Sequence, residues 1–401
     1  MSLGLRDDES RIDWLFIASL IGLLAISVAF IYSAKMVDES NASLAWYKQD
    51  HIRQIIWAVV GLSGAAVICL IDYHVLARFS LVAYWGTILL LALILLPFIG
   101  YEQYGARRWI NLGFATIQPS EFAKLAFILA MAHFLSRPVD ELRQGPVFVK
   151  ALGLGALPFA LIMIEPDLGS ALLFIPITLV MMWVAKTPRI YLFKIVGWSG
   201  FFCALMILNI LFAPEKYQIQ LHEYQRRRLL VYFNQDFAPP NASREEKRKA
   251  DQEQQKYSYN VRQAMISVGS GGAWGKGYRQ GTQTSLGYLP RGVAHNDFIF
   301  SVIAEEKGFI GSVVVLGLYT IVLFSGIRAA GQARDRLGKI MAAGVVTLFF
   351  SQIFINIGMN IRLMPVTGVP LPLLTYGGSS VLSSLFAAGL IQNIHLYRKA
   401  Y

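Results

Sequence analysis

Three carboxylates fall within ten residues of one another in the stretch HNDFIFSVIAEEKG, residues 295–308, just ahead of the apolar run GSVVVLGLYTIVLFSGI. If the stretch is helical, Glu305 lies about 80° around the axis from Asp297, and Glu306 lies about 180° away. This spacing does not indicate the paired carboxylates of a glycosidase. Asp297 stands apart, beside His295, and an aspartate at a helix start most commonly acts as an N-cap.

A second charged group opens an apolar stretch at QPSEFAK, residues 118–124. Pro119 suits the first turn of a helix, and Glu121 and Lys124 are spaced i, i+3, so they can pair on one face. Two interpretations stay open. The pair either only neutralises itself, or it forms a polar spot inside a bundle that helps to hold a charged head group or a cation.

The motif EPDLGSA, residues 165–171, contains a third acidic site. Pro166 and Gly169 suit a tight turn between two apolar stretches, and Asp167 is expected to cap the helix that follows. Glu165 and Asp167 could together hold a divalent cation, although two carboxylates are a weak signal for one.

Basic side chains and glycines gather in a long polar segment, residues 214–308. Arginine suits phosphate because its planar guanidinium donates two parallel hydrogen bonds, and the alternative is a solvated basic surface near lipid head groups. The glycine-rich GSGGAWGKG predicts backbone packed close to a ligand or to other protein, and its amides could face a phosphate. The basic residues considered are Arg226, Arg227, Arg228, Arg262, Lys276, Arg279 and Arg291.

The elements that position these residues are apolar. Charged residues make up 15% of the 401-residue chain and the mean hydropathy is +0.49, whereas soluble domains carry about 25% charged residues. Runs of about 20 apolar residues can cross a bilayer as helices, and in lipid every backbone amide must be paired within its own element. We therefore predict an all-α polytopic membrane protein with about ten transmembrane helices, over 13–34, 54–73, 79–99, 119–136, 149–165, 168–187, 191–213, 309–329, 338–361 and 377–397.

The distribution of Lys and Arg predicts the orientation of these helices. One set of alternate short loops, together with both termini, holds most of the basic residues, and such loops face the cytoplasm. The opposite set holds only Lys35, Lys48, Arg53, Arg107, Arg108 and Arg362. Both termini are thus expected in the cytoplasm. The net charge of +11 is spread over loops rather than gathered on one face, which argues against nucleic-acid binding.

The chain is predicted to form one membrane domain over residues 1–401. Segment 214–308 then forms a large extracytoplasmic loop between the seventh and eighth helices. Within it, a polar run near 239–256 has no apolar stripe, so it is expected to be a solvated or disordered insertion.

Five motifs in this order resemble the SEDS family of bacterial shape, elongation, division and sporulation proteins: QPSEFAK, EPDLGSA, YNVRQAMISVGSGGAWGKGYRQGTQ, LPRGVAHNDFIFSVIAEEKGFIG and GVPLPLLTYGGSS. The resemblance runs from the first apolar stretch to the last. It implies about ten transmembrane helices in the bacterial cytoplasmic membrane, with a large outer loop between the seventh and eighth.

The resemblance also implies an activity. SEDS proteins are peptidoglycan glycosyltransferases that polymerise lipid II for cell shape and elongation, alongside a class B penicillin-binding protein transpeptidase. The essential aspartate of the family corresponds to Asp297, its helix-borne Glu and Lys to Glu121 and Lys124, and its acidic turn to Asp167. Further candidates for the substrate site or cavity are Arg226, Arg228, Arg262, Lys276, Gln280 and His295.

A mechanism follows from the resemblance. Asp297 is expected to act as general base toward the 4-hydroxyl of GlcNAc on the acceptor, with inversion at C1 of the donor MurNAc and release of undecaprenyl diphosphate. A divalent cation, Mg or Mn, or the basic side chains, is expected to stabilise the departing diphosphate.

The sequence departs from the family pattern at three places. Asn296 replaces a threonine, Glu165 replaces a common glutamine, and the run near 239–256 is longer than expected.

Two other functions stay open. One is a lipid II flippase with a polar path lined by Glu121 and Lys124, although no pair of broken helices in matching halves supports transport. The other is a non-catalytic scaffold that recruits a penicillin-binding protein, which leaves the glycine-rich loop and Asp297 unexplained.

Overall fold

The fold is described from a computed structural model that covers residues 12–35, 45–96, 99–103, 106–113, 115–212, 223–233, 237, 244–289 and 294–399. Fifteen α-helices occur in these ranges, and three of them are only one or two turns long. In chain order they are α1 (Trp14–Lys35), α2 (Asp50–Leu70), α3 (Tyr73–Arg78), α4 (Ser80–Ile94), α5 (Pro119–Leu135), α6 (Val139–Leu142), α7 (Gly145–Ile164), α8 (Leu168–Val184), α9 (Arg189–Phe212), α10 (Glu223–Tyr232), α11 (Arg244–Ser270), α12 (Thr282–Ser285), α13 (Ile299–Gln332), α14 (Arg336–Asn360) and α15 (Gly378–Leu396).

Each of the ten predicted apolar stretches coincides with a helix. Six of the helices in the described ranges are long and apolar enough to cross a membrane: α1, α2, α7, α9, α13 and α14. Two shorter apolar helices, α4 and α8, accompany them. Large apolar side chains stay exposed on their outer faces, for example Val82 at 72% and Phe193 at 72%. A surface of this kind suits contact with lipid, and the predicted class of polytopic helical membrane protein is confirmed.

The all-α prediction misses a small sheet between α4 and α5. Strands β1 (Gly100–Gln103), β2 (Ala106–Asn111) and β3 (Thr116–Ile117) form an antiparallel sheet in the order β1-β2-β3. The stretch predicted as helix up to residue 99 consequently ends at Ile94. Open sheet edges are not tolerated in the hydrocarbon core, so the sheet belongs to an end of the bundle.

The centre of the bundle is formed by α5, α14 and α15. Thirteen residues of α5 are buried, including the charged Glu121 and Lys124. Glycines let α15 approach α2 closely, because a Cβ added at Gly389 would lie 3.0 Å from the Cα of Ala65. Small residues at such crossings favour tight packing of helices within a membrane.

The polar insertion is helical rather than disordered where the structure describes it. Residues 244–256 form the first half of α11, while residues 239–243 lie outside the described residues. The second half of α11 packs on α13 through Val261, Ala264 and Ser267, which are buried at intervals of three residues. The Glu- and Lys-rich first half has high helix propensity. The packed second half supplies the helix nucleus, and extending an existing helix by one residue is easier than nucleating a new one.

Candidate active site

The turn that carries Asp297 is fixed to the rest of the bundle through its backbone. Residues 294–298 form a turn just before α13. The N-cap of α13 is Phe298, and no side chain caps it, so the N-cap role considered for Asp297 is wrong. Instead, the amides of two buried side chains, Asn356 and Asn360 of α14, each donate a hydrogen bond of 3.2 Å to the main-chain carbonyl of Asp297.

The two asparagines belong to a buried network at the end of α14. Asn356 also donates to the carbonyl of Val369 at 2.8 Å. Asn360 donates to the carbonyl of Asn356 at 2.8 Å and accepts from the hydroxyl of Ser301 at 2.5 Å. Both asparagines have no exposed surface. Because an unsatisfied buried carbonyl costs about 1–3 kcal/mol, this network strongly favours one position for the turn.

A second contact to the turn comes from the segment 367–377, which joins α14 to α15. Thr375 donates its hydroxyl to the carbonyl of Asn296 at 3.2 Å, and the amide of Tyr376 donates to the carbonyl of His295 at 3.1 Å. A Cβ built on Gly368 would lie 3.8 Å from Oδ2 of Asp297. The Asp297 carboxylate, which is partly exposed, therefore faces the backbone at Gly368.

The acidic turn before α8 lies on the same segment. A Cβ at Gly169 would stand 2.6 Å from the carbonyl oxygen of Thr367, so only glycine permits this approach. Asp167 caps α8 by accepting from the Ser170 amide at 3.1 Å, as predicted. Its other oxygen accepts from the side-chain amide of Gln118 at 3.1 Å.

Arg108 of β2 holds the turn before α8 from its other side. Its guanidinium donates to the main-chain carbonyls of Glu165 and Pro166. It also lies 3.9 Å from the carboxylate of Asp167. Charge and backbone contacts together thus tie the sheet to the start of α8.

Glu165 is the least satisfied carboxyl group near the site. It lies just beyond the end of α7 and is 1% exposed, and neither carboxylate oxygen has a hydrogen-bond partner among the described residues. Burial first and the nearby Asp167 second raise the pKa of Glu165 to about 8, while Arg108 lowers it. The Glu165 carboxyl is therefore mostly protonated at neutral pH.

The predicted pairing of Glu121 and Lys124 is confirmed. Lys124 Nζ lies 2.5 Å from Glu121 Oε1, and each residue is 1% exposed. The hydroxyl of Ser383 on α15 donates to the second oxygen of Glu121 at 3.1 Å. Glu121 stands three positions after Gln118, so the pair lies about one turn deeper in the bundle than the Gln118–Asp167 contact.

His295 belongs to a polar cluster that the sequence interpretation missed. Its Nε2 lies 4.0 Å from the carboxylate of Asp50, which pairs with Lys35 at 3.2 Å. The hydroxyl of Tyr376 hydrogen-bonds with both Asp50 and Arg53. Lys35 and Arg53 are two of the six basic residues in the sparsely charged set of loops, and this scarcity was a usable signal that basic side chains there have particular partners.

Glu305 and Glu306 are held through their own carboxylates. Glu305 accepts from Lys276 Nζ at 2.7 Å and from the amide of Gln283 at 3.0 Å. Glu306 accepts from the hydroxyl of Ser33 and from the amide of Arg279. Both glutamates are therefore structural partners of the glycine-rich loop, and Lys276 is committed to one of them.

The glycine-rich loop packs on protein, which decides between the two predicted alternatives. The amide of Lys276 donates to the carbonyl of Glu305, and the amide of Gly277 donates to the carbonyl of Glu306, both at 3.0 Å. These carbonyls lie just before Gly308, where α13 is broken. A Cβ at Gly271 would come within 2.0 Å of the Ala304 carbonyl oxygen. These amides serve the broken helix, so the idea that they hold a phosphate is not supported.

Two of the remaining candidates lie at the periphery. Arg262 and Gln280 are exposed. Arg226 and Arg228 belong to α10, but their side chains lie outside the described residues. The structure thus gathers Asp297, Asp167 and His295 around segment 367–377, places Glu121 and Lys124 deeper, and leaves Arg262 and Gln280 exposed.

No preformed site for the predicted divalent cation is seen among the described residues. Among the residues that the structure describes, no group of three or more His, Cys, Asp or Glu side chains is arranged to hold a metal ion. Glu165 and Asp167 are the nearest pair, and both oxygens of Asp167 already accept hydrogen bonds. The described residues thus show no preformed metal site, and the cation stays a prediction.

Comparisons with known proteins agree on the relationship of the chain. The family model for cell cycle proteins named after FtsW, RodA and SpoVE matches residues 13–400. Peptidoglycan glycosyltransferase RodA of Treponema pallidum is 31% identical over 449 residues, covering 96% of this chain and 98% of the relative. Peptidoglycan glycosyltransferase MrdB of Escherichia coli K12 is 31% identical over 394 residues, covering 98% and 95%.

A solved structure shares the fold over nearly the whole chain. It is described as "Structural coordination of polymerization and crosslinking by a peptidoglycan synthase complex". One chain of it matches with a TM-score of 0.75 at 26% identity, and 97% of this chain and 99% of that chain are covered.

Proposed function

The chain belongs to the family of cell cycle proteins that includes FtsW, RodA and SpoVE, and from this premise we propose that it polymerises lipid II with Asp297 as the base. It is a peptidoglycan glycosyltransferase, the activity for which relatives of nearly the same length are named. The arrangement of residues around Asp297 supports a specific mechanism for this activity.

The manner in which Asp297 is held carries the proposal. Two buried asparagines fix its main-chain carbonyl, and its partly exposed carboxylate faces Gly368. A backbone fixed in this way keeps the attachment point of the carboxylate in place while a substrate approaches. Such positioning accounts for much of the rate gained when two reacting groups are held together.

The chemistry requires one base. A sugar hydroxyl is a poor nucleophile at neutral pH, and Asp297 takes the proton from the 4-hydroxyl of the acceptor GlcNAc. The oxygen attacks C1 of the donor MurNAc from the face opposite the diphosphate, so the anomeric centre inverts. The C1–oxygen bond to the diphosphate breaks, and undecaprenyl diphosphate leaves with that bonding pair, without needing a strong general acid.

Cations near the turn are suited to the charge of the leaving group. Lys35 and Arg53 surround Asp50 and Tyr376 beside His295, and preorganised cations of this kind stabilise developing charge. Lys35 is paired with Asp50 as Lys276 is with Glu305, so we favour Lys35 and Arg53 for their position beside His295 and the Asp297 turn. Magnesium or manganese stays a predicted cofactor, and no step above depends on it.

Glu121 and Lys124 are proposed to shape the interior beneath the site. The pair is buried and satisfied by Ser383, which supports a structural role ahead of direct contact with substrate.

The membrane arrangement is part of the proposal. Ten transmembrane helices place both termini in the cytoplasm of a bacterium, with segment 214–308 outside between the seventh and eighth. Asp297 then lies at the outer end of the bundle, where the sugars of lipid-linked substrates are found. The agreement of the apolar helices with the distribution of basic loops supports this arrangement.

A class B penicillin-binding protein is the proposed partner. The supporting observation is the likeness to a chain of a complex described as coordinating polymerization and crosslinking. The partner would crosslink the strands that this chain produces.

The deciding experiment is polymerisation of labelled lipid II by the purified protein with its penicillin-binding partner. We expect glycan strands from the wild type and a loss of at least about a hundredfold for Asp297→Asn, with an unchanged thermal midpoint in detergent. Near-normal synthesis by the variant would remove Asp297 from the role of base.

Reconstitution with lipid II already on the outer face separates synthesis from transport. A flippase or a scaffold would give no strands in that assay, whereas a polymerase needs no translocation step.

A further inference from the structure

A basic cavity of about 800 Å³ lies at the end of the bundle opposite Asp167. Helix α8 runs from Asp167 at its N-cap to Val184, about 25 Å away at 1.5 Å per residue. The cavity is built where α8 ends and α9 begins, with further side chains from the link before α7 and from α14. Its lining residues are Arg143, Trp183, Val184, Lys186, Thr187, Pro188, Arg189 and Lys339.

The charge of this lining has one sign. Four of the eight lining residues are basic and none is acidic. Arg143 lies 3.8 Å from Asp140, but both side chains are largely exposed, at 69% and 93%, and exposed pairs of this kind contribute little. The cavity therefore offers a net positive surface to whatever enters it.

Thr187 gives the cavity a neutral hydrogen-bonding group that its own surroundings do not use. The residue is 4% exposed, and its hydroxyl has no hydrogen-bond partner among the described residues. A buried hydroxyl without a partner costs free energy, so a ligand with oxygen acceptors would relieve that cost.

The loop that presents these groups is held rigidly. Arg336 of α14 donates to the carbonyl of Ala185 at 2.8 Å and to that of Arg137 at 2.9 Å. The amide of Thr187 donates to the carbonyl of Met182 at 3.1 Å. The Thr187 hydroxyl is consequently positioned before any ligand arrives.

We propose that this cavity binds a phosphate group, with the basic side chains neutralising its charge and Thr187 donating to one of its oxygens. Two sources share that chemistry: the head group of an anionic phospholipid, and phosphate free in solution. Trp183 is 60% exposed at the rim, and tryptophan is enriched at the level of lipid head groups, which favours the lipid. The proposal does not depend on the catalytic one, because no residue of the candidate active site takes part.

An excess of basic residues at one end of a membrane protein is common and needs no ligand. What distinguishes this cavity is the buried Thr187 hydroxyl together with a lining whose charged residues are all basic. The test must therefore separate these residues from other basic residues nearby. Lys150 of α7 and Lys194 of α9 are exposed and do not line the cavity, so they provide the matched control.

The experiment titrates the purified full-length protein in detergent with three probes: water-soluble short-chain phosphatidylglycerol, short-chain phosphatidylcholine, and inorganic phosphate. We expect saturable binding of phosphatidylglycerol that Lys186→Gln/Lys339→Gln weakens by about twenty-five-fold, since each basic residue near a surface contributes about a factor of five. Thr187→Val should weaken it a few-fold, and Thr187→Ser should restore it. Lys150→Gln/Lys194→Gln should bind as the wild type does.

The outcomes distinguish the two sources of phosphate and also test whether the cavity binds phosphate at all. Binding of inorganic phosphate as tight as that of phosphatidylglycerol, with the same dependence on Lys186 and Lys339, would identify free phosphate as the ligand. Absence of saturable binding for all probes would overturn the proposal. Equal losses in the two double variants, with unchanged thermal midpoints, would also overturn it, because only general charge would then matter.

Discussion

The acidic residues on either side of the start of α13 are held in opposite ways. Asp297 is fixed through its main-chain carbonyl, by Asn356 and Asn360. Glu305 and Glu306 are fixed through their side chains, whose oxygens accept hydrogen bonds from the glycine-rich loop and from α1. The two arrangements stand within ten residues of each other in the same motif.

This contrast separates two uses of a carboxylate. When the oxygens of a buried carboxylate anchor a loop, removing the carboxylate leaves its buried partners unsatisfied, and this loss is destabilising. When the backbone is the anchor, as in the two asparagine contacts at Asp297, the hydrogen bonds that hold the turn are made by the main chain. Asp297 is suited to chemistry for this reason, and the glutamates are suited to holding α13 at its break.

The sharpest test of the contrast is Glu305→Gln, because it removes the charge that pairs with Lys276. We expect a loss of about 3 kcal/mol of stability, the lower end of the range for breaking a buried pair, since Lys276 is 26% exposed. The thermal midpoint in detergent should fall clearly. Asp297→Asn, in contrast, should leave the thermal midpoint unchanged.

Replacing both partners provides the control for that loss. Glu305→Gln/Lys276→Met removes the unpaired charge and should recover part of the stability. If Glu305→Gln melts as the wild type does, the side-chain anchor assigned to Glu305 is wrong and the contrast with Asp297 disappears.

The next prediction concerns the backbone anchor. Asn356→Ala leaves the carbonyls of Asp297 and Val369 each with one bond fewer, at a cost of about 1–3 kcal/mol. Because a displacement of about 1 Å can cost a hundredfold in rate, we expect kcat to fall by up to about a hundredfold with little change in KM. Single-turnover polymerisation of lipid II measures this separation.

Asn393 supplies a matched control for a buried asparagine. Its side-chain amide donates to the carbonyls of Ile68 and Ile71 at 2.6 Å each, away from the site. Asn393→Ala should lose comparable stability and retain its kcat once folded. Equal kinetic losses in the two variants would show that Asn356 acts only on stability.

The helices and the local pairs were predictable from sequence for a physical reason. A bilayer demands runs of about 20 apolar residues, so each predicted stretch coincides with a helix. The spacing of Glu121 and Lys124 fixes their contact within one turn, and Asp167 caps α8 from the position next to its first residue. These features depend on residues close together in the chain.

The support of Asp297 was not predictable in the same way. Asn356 and Asn360 lie 59 and 63 residues from Asp297 in the chain. No local pattern in either stretch identifies the other stretch as its partner. Two polar residues four apart in an apolar helix did offer a signal, because polar groups within such helices commonly face a partner. That signal indicates that a partner exists, but only the packing of α14 against the turn identifies it.

The last prediction concerns Glu165, neither of whose carboxylate oxygens has a hydrogen-bond partner among the described residues. Its folded-state pKa of about 8 exceeds the ordinary value of 4.5. The protonated group therefore contributes stability that is fully present below about pH 4.5 and is lost as the pH rises through 8. Glu165→Gln imitates the protonated form, so it should raise the thermal midpoint at pH 9 on the order of a few degrees.

At pH 5 the same substitution should change the thermal midpoint little, because the wild-type group is already protonated in the folded protein and only partly ionised in the unfolded one. Asp140→Asn, at a carboxylate that is 93% exposed, provides the control and should show no such dependence. A wild-type protein whose midpoint rises from pH 5 to pH 9 relative to Glu165→Gln would reverse the sign and place an ionised Glu165 in the site. A third way of holding a carboxylate, burial of its neutral form, would then be absent from this protein.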